Sequence, residues 1–251
     1  MPINIHNLEF FYRKLLYYKN LLFFSLQVDK KIINEINLNS FAVINNFLDK
    51  KVCQDLIKEI DNYLLDDKKK NIGLHWADKV NSDNRFFKFQ EISIYGKKIL
   101  ENPMINSVAT AVTGHLKHEK SLMANKLIFQ TNNLGSGGGW HKDSPVRTQF
   151  KAFIYLSDVD DNNGPLQIFR GSHKFNFLKK IVKKKLSTKD YRFFDNEIDA
   201  LHSSLTSINA KAGTLILANT KALHRGMPIK KGNRYAITFY YGDPKLKSIY
   251  A

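Results

Sequence analysis

Apolar positions recur along this chain with two periods, and the change from one to the other divides it. In the first stretch, 8–26, Leu8, Phe11, Leu15, Tyr18 and Leu22 fall at helical spacing, interrupted by Glu9, Arg13, Lys14, Lys19 and Asn20. That pattern predicts a helix packed on the main domain or on a sister subunit. Basic residues beside an aromatic face leave weak contact with a membrane surface through 8–26 as the alternative. Phe41-Ala-Val-Ile-Asn-Asn-Phe47 predicts a short strand, and Asp49 then caps a helix with Val52, Leu56, Ile60 and Leu64 on its apolar side. Another helix is predicted from Asn102-Pro103, because proline is tolerated at the first helical position, with Val108, Val112 and Leu116 as its stripe.

From 126 onward the pattern shortens to β-type runs at 126–132, 149–157, 166–170, 214–219 and 234–241, separated by turns containing Gly, Asn or Pro. Helices followed by such a series predict a mainly β protein with flanking helices, folded as an antiparallel barrel or double sheet. The segment 179–200 interrupts the series. It carries Lys179, Lys180, Lys183, Lys184 and Lys185 and then Tyr191, Phe193 and Phe194. We expect a lid insertion, with Lys183, Lys184 and Lys185 meeting an anionic substrate, since long loops in compact domains tend to be functional. A solvated surface helix is the alternative. With 251 residues and 43% hydrophobic content, one core suffices, so 1–251 reads as a single domain with an N-terminal helical extension over 1–40.

Charge and cysteine usage narrow the classes. The net charge of +16 arises from 39 basic against 23 acidic residues, yet only seven of the basic ones are Arg. A dispersed Lys surplus lacks the bidentate forks that read phosphate and bases, so no nucleic-acid partner is expected. The surplus reads as compositional bias, with attraction of an anionic substrate as the alternative. Cys53 is the sole cysteine, which excludes an intrachain disulfide and multi-cysteine metal clusters. No apolar run approaches the ~18 residues of a spanning helix, and no secretory signal pattern opens the chain. A cytoplasmic location follows as an expectation, while the oligomeric state is not legible.

The candidate chemistry centres on His141-Lys142-Asp143. Side chains at i and i+2 of an extended segment point the same way, so an imidazole and a carboxylate can share one ion. Gly137, Gly138 and Gly139 lie just upstream, where the absence of a Cβ permits tight turning and close approach. Trp140 adjoins the first ligand, and pocket wall and aromatic packing explain it equally well. The third candidate ligand is His224, 81 residues beyond Asp143 and just past an apolar strand. Two histidines and one carboxylate make the facial triad of non-haem iron oxygenases, leaving three positions open. Zinc can use similar ligands. Arg234, ten residues after His224, favours iron, because its guanidinium offers a fork for the distal carboxylate of a keto-diacid that also chelates the metal.

With these residues in place, the sequence resembles the phytanoyl-CoA dioxygenase family of Fe(II)/2-oxoglutarate-dependent oxygenases, from about Phe41 to Gly242. The resemblance is carried by Phe41-Ala-Val-Ile-Asn-Asn-Phe-Leu, Gly139-Trp-His-Lys-Asp-Ser-Pro and Ala152-Phe-Ile-Tyr-Leu-Ser-Asp-Val. Asn163-Gly-Pro-Leu, Gly171-Ser-His-Lys, His224-Arg-Gly-Met-Pro and Gly232-Asn-Arg234 continue it, while Arg170 departs from the proline common before Gly-Ser-His. The resemblance implies a double-stranded β-helix, a cupin-like jelly roll. It implies His141, Asp143 and His224 as Fe(II) ligands, with Arg234 and Gln130 contacting 2-oxoglutarate. His173 then reads as structural. The implied reaction consumes dioxygen, releases succinate and carbon dioxide, and hydroxylates an unactivated C–H bond of a small metabolite. Anionic and carrier-, CoA- or nucleotide-tethered substrates stay open. Asp143 fills the position that related halogenases leave to a small residue, which disfavours halogenation. The rival readings are a non-redox cupin-like metalloenzyme, such as an epimerase or isomerase, and an inactive binding module.

Overall fold

The computed structural model describes residues 28–66, 74–143, 150–174, 192–198 and 203–242, together with Tyr12, Leu15, Tyr18 and Lys19. Helix α1 (Lys30–Asn39) starts at Asp29, whose carboxylate accepts from Lys31 N at 2.8 Å, and stops at Ser40 in the left-handed region. Helix α2 (Lys50–Leu65) buries Cys53, Leu56 and Ile60. After α3 (Ile94–Leu100), helix α4 (Pro103–Thr113) is capped by Asn102 Oδ1, which accepts from Ile105 N at 3.1 Å. Gly114 terminates α4 with φ 78, so Leu116 falls outside the expected stripe and is exposed.

The strands form two sheets. The larger is ordered β1 (Phe41–Ile44), β10 (Leu215–Asn219), β6 (Phe150–Tyr155), β12 (Asn233–Gly242), β4 (Glu119–Ile128), β3 (Asp83–Phe87) and β2 (Leu74–Ala77). The smaller is ordered β8 (Arg192–Phe193), β5 (Trp140–His141), β11 (His224–Gly226), β7 (Leu166–Phe169) and β9 (Leu205–Ile208). Every pairing between named strands is antiparallel. The two sheets face each other as a jelly roll and do not close into a barrel, as expected for a mainly β chain with flanking helices.

Alternation along the strands sorts side chains into three layers. Tyr235, Ile237, Phe239 and Tyr241 of β12, with Phe150, Ala152 and Ile154 of β6, pack under Ile36, Leu56, Ile60, Ile105 and Val108 of the helices. Their neighbours Tyr155 and Ala236 turn inward and meet Leu166, Ile168 and Ile208 across the space between the sheets. Outside the smaller sheet, Trp140, Phe169, Phe193, Ile198 and Leu223 form a third cluster. The inner layer is therefore the place where strand residues of both sheets converge.

Strand β4 begins at Glu119, seven residues before the expected run, and β2, β3 and β9 were not expected. Of the extension, α1 packs Ile33 and Ile36 into the main core. Leu15 and Tyr18 are helical but exposed, and the remaining stripe residues Leu8, Phe11 and Leu22 lie outside the described residues. Most of the expected lid, including Lys183, Lys184 and Lys185, also lies outside them. Its later part forms β8 and the one-turn helix α5 (Asp195–Ile198). Among the described residues, no helix is long and apolar enough to cross a membrane.

Candidate metal centre

His141 ends β5 and His224 begins β11, and the two are direct cross-strand partners with ring centroids 4.3 Å apart. Asp143 follows two residues later, its backbone N–H held by Thr220 O at 3.0 Å. One potential ligand atom from each of His141, Asp143 and His224 lies within 4.8 Å of the others. The expected ligands thus meet in the inner layer.

The backbone fixes which nitrogens face the shared point. His141 Nδ1 is 2.9 Å from Gly139 O, and His224 Nδ1 is 2.9 Å from Ala222 O. A carbonyl only accepts, so each Nδ1 carries the proton and each Nε2 keeps a lone pair. Burial first, and mutual repulsion with His224 next, hold His141 below the ordinary imidazole range. Burial also lowers His224. Burial alone would raise Asp143, but Lys151 above all, followed by the two histidines, pulls it down and keeps the carboxylate ionised. Two neutral imidazoles and one carboxylate are the donor set for a divalent transition metal with open coordination positions.

Gly137 shapes the ligand loop. Its φ is +92, and an added Cβ would lie 2.5 Å from His141 Cε1, so the ring occupies the space a side chain would need. Arg192 secures this loop from β8, donating from one nitrogen to Gly137 O at 2.9 Å and to Gly138 O at 2.8 Å.

Arg234 is buried on β12, and alternation puts it on the same inner face as Ala236. It donates to Gly164 O and, from Nη2, to Asn125 Oδ1 at 3.1 Å, while Asn125 donates in turn to Asp83. Its Nε is buried with no hydrogen-bond partner among the described residues. An orphaned guanidinium N–H is costly unless a ligand completes it, and a carboxylate suits that geometry.

Two other expected positions turn out differently. Trp140 faces away from the triad: it packs against Phe169, donates from Nε1 to Asp195 at 2.8 Å and lies under Arg225. Strand alternation, which turns His141 inward, turns its neighbour outward, so packing accounts for Trp140. Gln130 lies beyond the end of β4 and is exposed; its carbonyl closes a turn with Asn133. Because β4 starts early and ends at Ile128, the polar β4 side chain beside Arg234 is Asn125. His173, read as structural, is 2.8 Å from Ser40 Oγ.

The sequence model described as phytanoyl-CoA dioxygenase matches residues 37–233. The chain belongs to the phytanoyl-CoA dioxygenase family. Members of this family depend on Fe(II) and 2-oxoglutarate, so this chain is an enzyme of the 2-oxoglutarate-dependent superfamily. No curated protein matches it in sequence. Among solved structures it resembles SnoN, the non-heme alpha ketoglutarate dependent epimerase from nogalamycin biosynthesis, with TM-score 0.65 and 14% identity over 85% of this chain and 82% of that one. It also resembles HygX from Streptomyces hygroscopicus with nickel and 2-oxoglutarate bound, with TM-score 0.61 and 15% identity over 86% and 88% of the two chains. EctD from S. alaskensis matches with TM-score 0.62 and 15% identity over 86% and 77%. At these identities the structural likeness speaks to the fold.

Sequence reasoning missed Lys151, Asn125 and Arg192 in this family member. Lys151 stands in an otherwise apolar strand, Phe-Lys-Ala-Phe-Ile-Tyr, and that anomaly is a legible signal. Arg192 and Asn125 carry none, since their roles depend on which strands become neighbours.

Proposed function

We propose that this chain is an Fe(II)- and 2-oxoglutarate-dependent oxygenase that oxidises an unactivated C–H bond of a small metabolite, with hydroxylation as the outcome. The observation that carries this reading is the inward convergence of His141, Asp143 and His224 in the same inner layer as a buried guanidinium with an unpartnered N–H. His141 and His224 offer Nε2, and Asp143 supplies the anionic ligand. When bound there, Fe(II) with 2-oxoglutarate supplies dioxygen activation, the co-substrate leaving as succinate and carbon dioxide. Arg234 is suited to grip the distal carboxylate of the keto-diacid through its open N–H. Ile168, the cross-strand partner of His224, and the inner-layer residues Leu166 and Ala236 offer apolar surface suited to excluding solvent from the target carbon.

SnoN and SnoK, an epimerase and a carbocyclase, share this fold and are both alpha ketoglutarate dependent. Since outcomes other than hydroxylation occur on this fold with the same co-substrate, the dependence on 2-oxoglutarate is tested first. The chain is incubated with Fe(II), 2-oxoglutarate and ascorbate, with and without dioxygen, against pooled metabolites, acyl thioesters and nucleotide sugars. Succinate that requires iron and dioxygen and rises with one pool is the expected result. Mass analysis of that pool then separates a gain of one oxygen from an isomerised product. Succinate no higher than in an Asp143→Ala control in every pool counts against the proposal and favours a non-redox metalloenzyme.

A further inference from the structure

Lys151 occupies an unusual place for a lysine. Phe150, Ala152 and Ile154 of β6 face the core beneath the helices, so alternation turns Lys151 inward, where it is 8% exposed. Its position is pinned on both sides, because Ala218 of β10 and Tyr240 of β12 are its cross-strand partners. Nζ lies 2.7 Å from Asp143 Oδ2 and 5.0 Å from the centroid of the Tyr240 ring. A buried ammonium needs such a counter-charge, and a buried carboxylate needs such a cation.

Two consequences follow for the triad. The ammonium stands against Oδ2, a buried oxygen that is ion-paired but makes no hydrogen bond among the described residues. Oδ1 is therefore the less encumbered oxygen for a metal, and two-oxygen ligation would bring the metal up against the ammonium. The charge balance changes as well. Two neutral imidazoles, one carboxylate and one ammonium sum to zero, whereas the triad alone carries one negative charge. A divalent ion therefore enters a site that already holds a cation, and the loaded site carries two net positive charges instead of one. That surplus disfavours the bare metal and favours any ligand that brings carboxylates with it.

We propose that Lys151 is a positioning residue that limits Asp143 to one-oxygen ligation and makes metal binding depend on the co-substrate carboxylate. The inference rests on the triad and co-substrate reading above. It gives the ion pair two states: in the metal-free chain Lys151 is the counter-ion of Asp143, and in a loaded chain it would be a fixed positive charge next to the ligand set. A purely structural lysine would contribute the first state and not the second.

The test uses Mn(II), which binds such donor sets without oxidation during the titration, in calorimetry with and without saturating 2-oxoglutarate. Parent, Lys151→Gln, Lys151→Met and Lys151→Arg chains are compared. In the parent, 2-oxoglutarate should tighten Mn(II) binding. In Lys151→Met and Lys151→Gln, Mn(II) alone should bind about tenfold more tightly than in the parent, and the tightening by 2-oxoglutarate should shrink by about tenfold, within the range usual for coupled sites. Lys151→Arg keeps the charge and should stay near the parent. Lys151→Gln retains a donor to Asp143, so it keeps the comparison available if Lys151→Met does not fold. Unchanged or weaker Mn(II) binding in Lys151→Gln, with the 2-oxoglutarate effect intact, overturns the role of Lys151 and leaves the co-substrate reading standing. A parent whose Mn(II) affinity ignores 2-oxoglutarate overturns both.

Discussion

Replacing Gly137 by Ala probes whether the glycine loop holds the first ligand in place. The added methyl would sit 2.5 Å from His141 Cε1. Carbon atoms in contact settle at ~3.5–4.0 Å, so the ring or the loop has to move by roughly 1 Å. The residue also has φ +92, and a non-glycine residue there costs about 1–2 kcal/mol. For a chain of this size, that backbone cost lowers the thermal midpoint by roughly 2–8 °C. Disturbing the support of a metal-bound imidazole typically weakens metal binding by ~10–100-fold. Gly232→Ala is the internal control, since Gly232 also has a positive φ, +69, with nothing among the described residues within 4 Å of the added atom. Gly139 is unsuitable because its carbonyl holds His141 Nδ1. Thermal melts and Mn(II) calorimetry on both variants separate the two effects. Both should lose thermal stability, Gly137→Ala the more because of its added clash, and Gly137→Ala alone should lose metal affinity. Equal metal affinities in the two variants would refute the claim that Gly137 makes room for His141.

Arg234, the proposed co-substrate anchor, and acid stability give two further predictions. Arg234→Met should raise the dissociation constant of 2-oxoglutarate by roughly 10- to 150-fold, the range for losing one charge-assisted hydrogen bond. Arg234→Lys should recover part of this, and unchanged binding in Arg234→Met measured on the Mn(II) form would remove the anchor. His118 is pushed down to about 4, by burial first and by His115 next. Its folded value lies below the ordinary 6.5, so its contribution is full above pH 6.5 and is lost as pH falls towards about 4. His118→Phe keeps a ring to pack edge-on against Tyr241, 5.3 Å away in the parent, and should flatten the fall of the thermal midpoint across that window. The flattening is partial, because His173 is also pushed down to about 4. Parallel curves for parent and variant would contradict it.

The outline of the fold was legible because strand periodicity is local. β6, β7, β10 and β12 fall within a residue or two of the expected runs, since alternating or continuous apolar stretches bounded by Gly, Asn and Pro carry that information directly. The start of β4 is not legible because Glu119, Lys120 and Ser121 look like loop, although Gly242, Tyr241 and Tyr240 opposite them complete the ladder. That pairing is a tertiary fact. β3 was missed for a similar reason: Asp83 and Arg85 are polar and paired to each other, so the strand shows no apolar alternation. At the site, residue type and order were enough to single out His141, Asp143 and His224, which the fold brings together, and Arg234, which it buries. The orientation of Trp140 was legible in principle, since a residue next to an inward ligand on a strand faces outward. The partnership of Lys151 with Asp143 joins two segments whose adjacency only the folded sheets establish.

The central claim is that His141, Asp143 and His224 hold one iron to which 2-oxoglutarate binds, and anaerobic titration tests it most directly. The metal-free chain is titrated with Fe(II), then with 2-oxoglutarate, while iron content and visible absorbance are followed, and His224→Ala is treated in parallel. The account predicts one Fe(II) per chain and a weak visible charge-transfer band on adding 2-oxoglutarate, both lost in His224→Ala. Undiminished iron in His224→Ala, or a parent that binds iron yet shows no band with 2-oxoglutarate, would contradict it.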